Sequence, residues 1–184
     1  MFDGIFLSAL TAFALAFGAP VPMYQGVARV NGCPGGWGTL QKASPATEYK
    51  PLVNVRTGRH DCYDRMVFDV SGVRDHRIGY QVKYVSKLFQ DGSGRRIKVT
   101  GGAILEIRIS APSYSPSTGE PTYPAKDGRT LPNVNLAGYR TFRDARFASS
   151  FEGDTLVGLG VRTRLPFRVF QLGGRIVVDV AHDV

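Results

Sequence analysis

The chain has 184 residues, of which 43% are hydrophobic and 21% charged, so it is long and apolar enough to bury a real core. Lys and Arg outnumber Asp and Glu by 23 to 15, and such a surface prefers anionic partners: envelope polymers, anionic lipid or nucleic acid. No basic run is denser than Arg95-Arg96, which makes much of this charge a solvated face, and the two cysteines lack the Cys or His partners that a metal site needs.

From Ile5 to Ala19 the chain is uncharged and almost wholly apolar. About 15 residues falls short of a bilayer span and matches the apolar region of a secretory signal. Gly18 and Ala19 suit its cleavage end. Asp3, rather than Lys or Arg, precedes the run, which means either a start further upstream or a weak signal; a buried N-terminal helix is the alternative. We assign residues 1–25 to a signal peptide and residues 26–184 to a single domain, secreted to the extracytoplasmic cell envelope. Removing the signal leaves about 159 residues and takes away only Asp3 among the charged ones. Export removes nucleic acid from the expected partners.

Cys33 lies in a Gly-rich stretch, Asn31 to Gly38, that is unsuited to regular structure. Two cysteines in an exported chain predict one disulfide, Cys33 to Cys62. Trp37, the one tryptophan, either packs as a plug beside that disulfide or stands out as a platform for stacking on a sugar. His60-Asp61-Cys62 is not an activated nucleophile, because on a strand Asp61 points away from the face His60 and Cys62 share and cannot orient the ring.

Strand signals begin at Leu52. Val53 and Val55 lead to Arg59-His60, and a second run from Cys62 to Val70 stops at Ser71-Gly72. Ile78 to Val85 alternates, with Tyr80, Val82 and Tyr84 on one face. Asp91-Gly92-Ser93-Gly94 is a turn before Ile97 and Val99, and Ala103 to Ile109 sends Leu105, Ile107 and Ile109 inward. Ser110 to Gly138 holds five prolines, Pro112, Pro116, Pro121, Pro124 and Pro132, which keep it out of a sheet interior. A loop this long either covers one end of the domain or is a passive connection. Strands resume over 139–142, 146–151, 155–161 and 167–172, and a Gly173-Gly174 hairpin turn leads into the last. With no helical periodicity, this predicts an all-β sandwich or barrel of short antiparallel strands with a long Pro-rich loop.

One pattern occurs twice, 110 residues apart. Arg65-Met66-Val67-Phe68-Asp69-Val70 and Arg175-Ile176-Val177-Val178-Asp179-Val180 both read Arg-apolar-Val-apolar-Asp-Val. The period of two puts Met66, Phe68 and Val70 on one face, with Arg65 and Asp69 on the other, and the second copy behaves alike. A catalytic motif rarely appears twice in one domain, so the copies are read as two equivalent core strands.

Arg59 to Asp69, Gly79 to Val85, Pro166 to Phe170 and Arg175 to His182 together resemble the AMIN-like domain of actinobacterial envelope proteins, over nearly all of residues 33–182. The resemblance implies a β-sandwich similar to the AMIN module of cell-wall amidases, which targets peptidoglycan. Many members look like lipoproteins; this chain departs from them, because Val30-Asn31-Gly32 before Cys33 does not make a lipidation site. Nothing resembles the amidase's catalytic domain or its zinc ligands.

No catalytic residue, metal ligand or cofactor site is expected. His60, His76 and His182 lack metalloprotease spacing; Ser110, Ser149 and Ser150 lack a nucleophile elbow; nothing in the sequence pairs Glu106 with Glu152 as glycosidase carboxylates. The expected function is a non-catalytic envelope module that binds peptidoglycan or another anionic wall polymer. Docking another envelope protein through a sheet edge or the Pro-rich loop is the alternative. The expected contacts are Arg56, Arg59, His60 and Tyr63, whose guanidinium forks suit paired oxygens and whose rings suit a sugar face. The bland alternative pairs Arg59 and Arg65 with Asp61, Asp64 or Asp69.

Overall fold

The computed structural model describes residues 29–30, 33–73 and 76–183, so the segment read as a signal peptide lies outside the described residues. There are thirteen strands and no α-helix among the described residues. In chain order they are β1 (Arg29–Val30), β2 (Cys33–Pro34), β3 (Lys42–Ser44), β4 (Leu52–Arg59), β5 (Tyr63–Val70), β6 (Tyr80–Val85) and β7 (Leu88–Phe89). Then follow β8 (Arg96–Ile97), β9 (Ala103–Ile109), β10 (Phe142–Phe151), β11 (Asp154–Val161), β12 (Phe167–Gln171) and β13 (Arg175–Ala181). A five-stranded antiparallel sheet, β10-β11-β9-β6-β3, packs on a four-stranded one, β12-β13-β5-β4, as a sandwich. The alternating residues read from the sequence form the core between them: Met66, Phe68, Ile176 and Val178 from one sheet, Val82, Leu105, Ile107 and Ile109 from the other, all fully buried.

The two copies of the repeat are not merely equivalent; they are neighbours. β5 and β13 run antiparallel through the middle of the four-stranded sheet, with Val67 opposite Val177, Arg65 opposite Asp179 and Asp69 opposite Arg175. Reversing the second copy against the first brings each Arg to the other's Asp.

The two runs predicted over 139–151 are one continuous strand, β10, which bends at register shifts between Phe142 and Asp144 and between Phe147 and Ser149. The Pro-rich segment is packed, not passive. It bridges the β4 edge of one sheet to the β10 edge of the other: the Thr122 hydroxyl donates to the Leu52 carbonyl (2.7 Å), and the Ser113 amide donates to the Ser150 hydroxyl (2.9 Å). Tyr123 and Leu131 are buried in the main core, and the Tyr123 hydroxyl donates to the Pro132 carbonyl at 3.0 Å. Burial raises the Tyr123 phenol above its ordinary value, so it stays a donor.

The outer face of the five-stranded sheet is covered by the β7–β8 arm. Leu88 and Ile97 pack on Ala148 and Leu156 in a second, smaller cluster. Gly158 and Gly160 make this approach possible: a Cβ would lie 2.4 Å from Leu88 Cδ2 at the first and 1.9 Å from the Thr100 carbonyl oxygen at the second. The arm's turn is clamped by Arg108, which holds Asp91 through two hydrogen bonds of 2.8 and 2.9 Å. That guanidinium keeps the Asp91 carboxyl below the usual carboxylate range, so the clamp is charged at neutral pH.

Candidate functional site

Cys33 and Cys62 form a disulfide that closes a separation of 29 residues and ties the Gly-rich segment to the start of β5. Cys62 therefore carries no thiol. Closing such a loop is worth about 3–4 kcal/mol. Alkylation of the native protein should leave its mass unchanged until it is reduced, after which two alkyl groups should add and thermal stability should fall. Two thiols that alkylate freely without reduction would contradict the bond.

The disulfide places Trp37 over the outer face of the four-stranded sheet. That face alternates away from the core, and on it the reversed repeat builds two arginine–aspartate–arginine triads. In the first, Asp179 is fully buried and takes Arg65 Nε at 2.6 Å, Arg65 Nη2 at 2.9 Å and Arg168 Nε at 2.8 Å. In the second, Asp69 takes Arg56 Nε at 2.9 Å, Arg56 Nη2 at 3.1 Å and Arg175 Nε at 3.2 Å. Each triad has two cations to one anion. The Asp179 carboxylate raises Arg65 further above its ordinary value, so the pair stays ionised.

Aromatic rings alternate with the first triad. The Arg168 guanidinium lies 4.5 Å from the Trp37 ring centre, 5.0 Å from Phe170 and 5.5 Å from Tyr63. Arg65 lies 5.2 Å from Tyr63, whose hydroxyl accepts from Arg65 Nη2 at 3.2 Å. His60 stacks on Tyr63 at 4.4 Å, and Trp37 meets Tyr63 edge-on at 5.5 Å. The result is a layer of guanidinium forks and half-buried rings, Trp37, Tyr63 and Phe170, with the exposed His60 stacked at its margin. Beside the second triad, Arg56, Asp69, Leu172 and Arg175 border a shallow groove of about 650 Å3.

Of the four residues expected at the site, His60 and Tyr63 stack on one another within the first cluster. Arg56 lies on the same sheet face but in the second triad. Arg59 is elsewhere. It stands opposite Asp64, whose side chain points inward, and its Nη1 would be 2.9 Å from a Cβ on Gly138. The pairing expected for Arg65 also differs: its partner is Asp179 across the sheet, not Asp61, Asp64 or Asp69. Asp64 is engaged on the inner face, where it accepts from the Thr141 amide (2.6 Å), the Phe142 amide (3.3 Å) and His182 Nε2 (3.1 Å). His182 Nδ1 faces the Asp61 carbonyl, so this buried pair fixes the sheet end to β10.

Sequence reasoning missed Trp37, Arg168 and Phe170 as members of one cluster with Tyr63, because they come from three separate segments. Among the described residues, no group of three or more His, Cys, Asp or Glu side chains could hold a metal ion. Glu106 pairs with Lys83 at 3.4 Å, whereas Glu152 occupies the β10–β11 hairpin turn at a φ of 48°.

No curated protein and no solved structure matches the chain. The AMIN-like domain family matches residues 50–182, which takes in β4 through β13 and most of the cluster just described. AMIN-like domains are non-catalytic modules, compatible with the cell envelope, and the disulfide is compatible with an extracytoplasmic location. By that match over most of its length, the chain belongs to the AMIN-like domain family.

Proposed function

We propose that this protein is an exported envelope module that binds peptidoglycan through the outer face of its four-stranded sheet. The observation that carries the reading is the ring-and-guanidinium layer of Trp37, Tyr63, His60, Phe170, Arg65 and Arg168. Flat rings present an apolar face with a polar edge, which suits a sugar ring. Forked donors suit the carboxylates of wall peptides. Arg65 and Arg168 are partly spent on Asp179, but two guanidinium groups share that one carboxylate and leave excess positive charge. Arg56 and Arg175 extend the same surface and are about half exposed.

The test is retention on purified peptidoglycan stripped of phosphate-bearing polymers. Wild-type protein should be retained and should elute as salt rises, because exposed charge contacts are screened. A Trp37→Ala/Arg168→Ala variant with an unchanged circular dichroism spectrum should lose most retention. Undiminished retention by that folded variant removes this face from the function. The competing reading, docking of an envelope protein, predicts capture of a partner protein with no affinity for the stripped wall.

A further inference from the structure

The opposite side of the sandwich carries a second feature of different chemistry. The β7–β8 arm, the turn at residues 127–129 and β10 enclose a groove of about 520 Å3. Arg95, Arg96, Lys98, Arg129 and Arg146 line it, against one lining carboxylate, Asp127. Arg96 and Lys98 flank the buried Ile97, so alternation turns both away from the core and spaces them by about 6.7 Å. Arg129 faces them from a turn fixed to β10, where the Gly128 amide donates to the Phe147 carbonyl (2.8 Å) and the Phe147 amide to the Arg129 carbonyl (3.0 Å).

The walls are held in place. Asp144 orients Arg146 at 2.9 Å and accepts from the Thr100 amide at 2.9 Å. Gln90 accepts from Arg95 Nε at 3.1 Å and donates to Asp127. Among the described residues, Arg96, Lys98 and Arg129 have no carboxylate within salt-bridge distance. Like charges gathered without partners repel one another, a cost that a bound anion relieves. No aromatic side chain lines the groove, so it offers a sugar ring nothing to stack on. Its donors are guanidinium and ammonium groups, which match phosphate oxygens as forks and as a point charge.

We propose that this groove binds a phosphodiester-linked polyanion, whose successive phosphates meet Arg96, Lys98 and Arg129. The inference does not rest on the peptidoglycan reading, which uses the other face of the sandwich and is tested on phosphate-free wall. The test measures binding of the purified chain to a synthetic glycerol-phosphate oligomer, to polygalacturonate as a carboxylate polymer, and to phosphatidylglycerol vesicles. Wild-type protein should bind the oligomer most tightly, with affinity falling as salt rises. An Arg96→Glu/Lys98→Glu variant with unchanged melting temperature should bind it about tenfold more weakly or worse. Trp37→Ala/Arg168→Ala should bind it as wild type does. Equal binding by the charge-reversed variant overturns the assignment. So does binding of polygalacturonate as tight as that of the oligomer, or binding to vesicles alone.

Discussion

Replacing Phe68 by Ala should lower the unfolding free energy by about 3–5 kcal/mol, and Val178 by Ala about 2 kcal/mol. Both side chains are fully buried, on adjacent strands, at the centre of the cluster that joins the two sheets. Phe68 faces Ile176 across the pairing and Val178 faces Met66, and all four side chains are fully buried. Close-packed interiors relax only partly around a deletion, which is why the cost exceeds the transfer term alone. Urea unfolding checks it: both midpoints should fall, Phe68→Ala further, with unchanged slope. Midpoints equal to wild type for both variants would refute the inward-facing assignment.

The second large effect comes from comparing the two triads, which carry the same residue types from the same repeated pattern. Asp179 is fully buried between Arg65 and Arg168, whereas Asp69 is partly exposed between Arg56 and Arg175. Removing Asp179 leaves two guanidinium groups, whose side chains are 23% and 35% exposed, facing each other with no anion. Asp179→Ala should therefore cost about 2–3 kcal/mol, less than the loss of one partner from a fully buried ion pair because water reaches both arginines. Asp69→Ala should cost about 1 kcal/mol or less, because water screens its partners. Thermal unfolding of the two variants measures the difference. Equal losses would mean that burial does not set the strength of these contacts.

Much of the sandwich was legible because strands such as β9 are buried on one face only, and half-burial writes itself as alternation; β11 and β13, buried on both faces, do not show it. Leu105, Ile107 and Ile109 are inward as their spacing predicts, and so are Met66, Phe68 and Val70. What alternation does not encode is which strand lies beside which. The complementary order of Arg and Asp in the two repeat copies was the available signal: read antiparallel, each copy neutralises the other, and that places β5 against β13. The site was less legible, since Trp37, Tyr63 and Arg168 meet only once the disulfide and the sheet order are known. Gly158 and Gly160 read as ordinary strand positions until the β7–β8 arm is laid across them. The basic groove was hidden for the same reason, because Arg96, Arg129 and Arg146 belong to segments with no common period.

The reciprocal pairing of β5 with β13 has a consequence for more than one chain. A strand whose complement bears its own pattern is also self-complementary. Two copies of β5 laid antiparallel with Val67 facing Val67 would set Arg65 against Asp69 twice over and Met66 against Phe68, much as β13 does in the native sheet. Neither register nor charge then separates the intramolecular partner from the same strand of another molecule. The chain connection, which makes the native partner the more concentrated one, the pairing of β13 with β12, the Arg168–Asp179 bond and the Asp64–His182 contact at the sheet end favour the correct choice. Strand exchange between molecules is thus a built-in competitor to folding, and its weight grows with protein concentration.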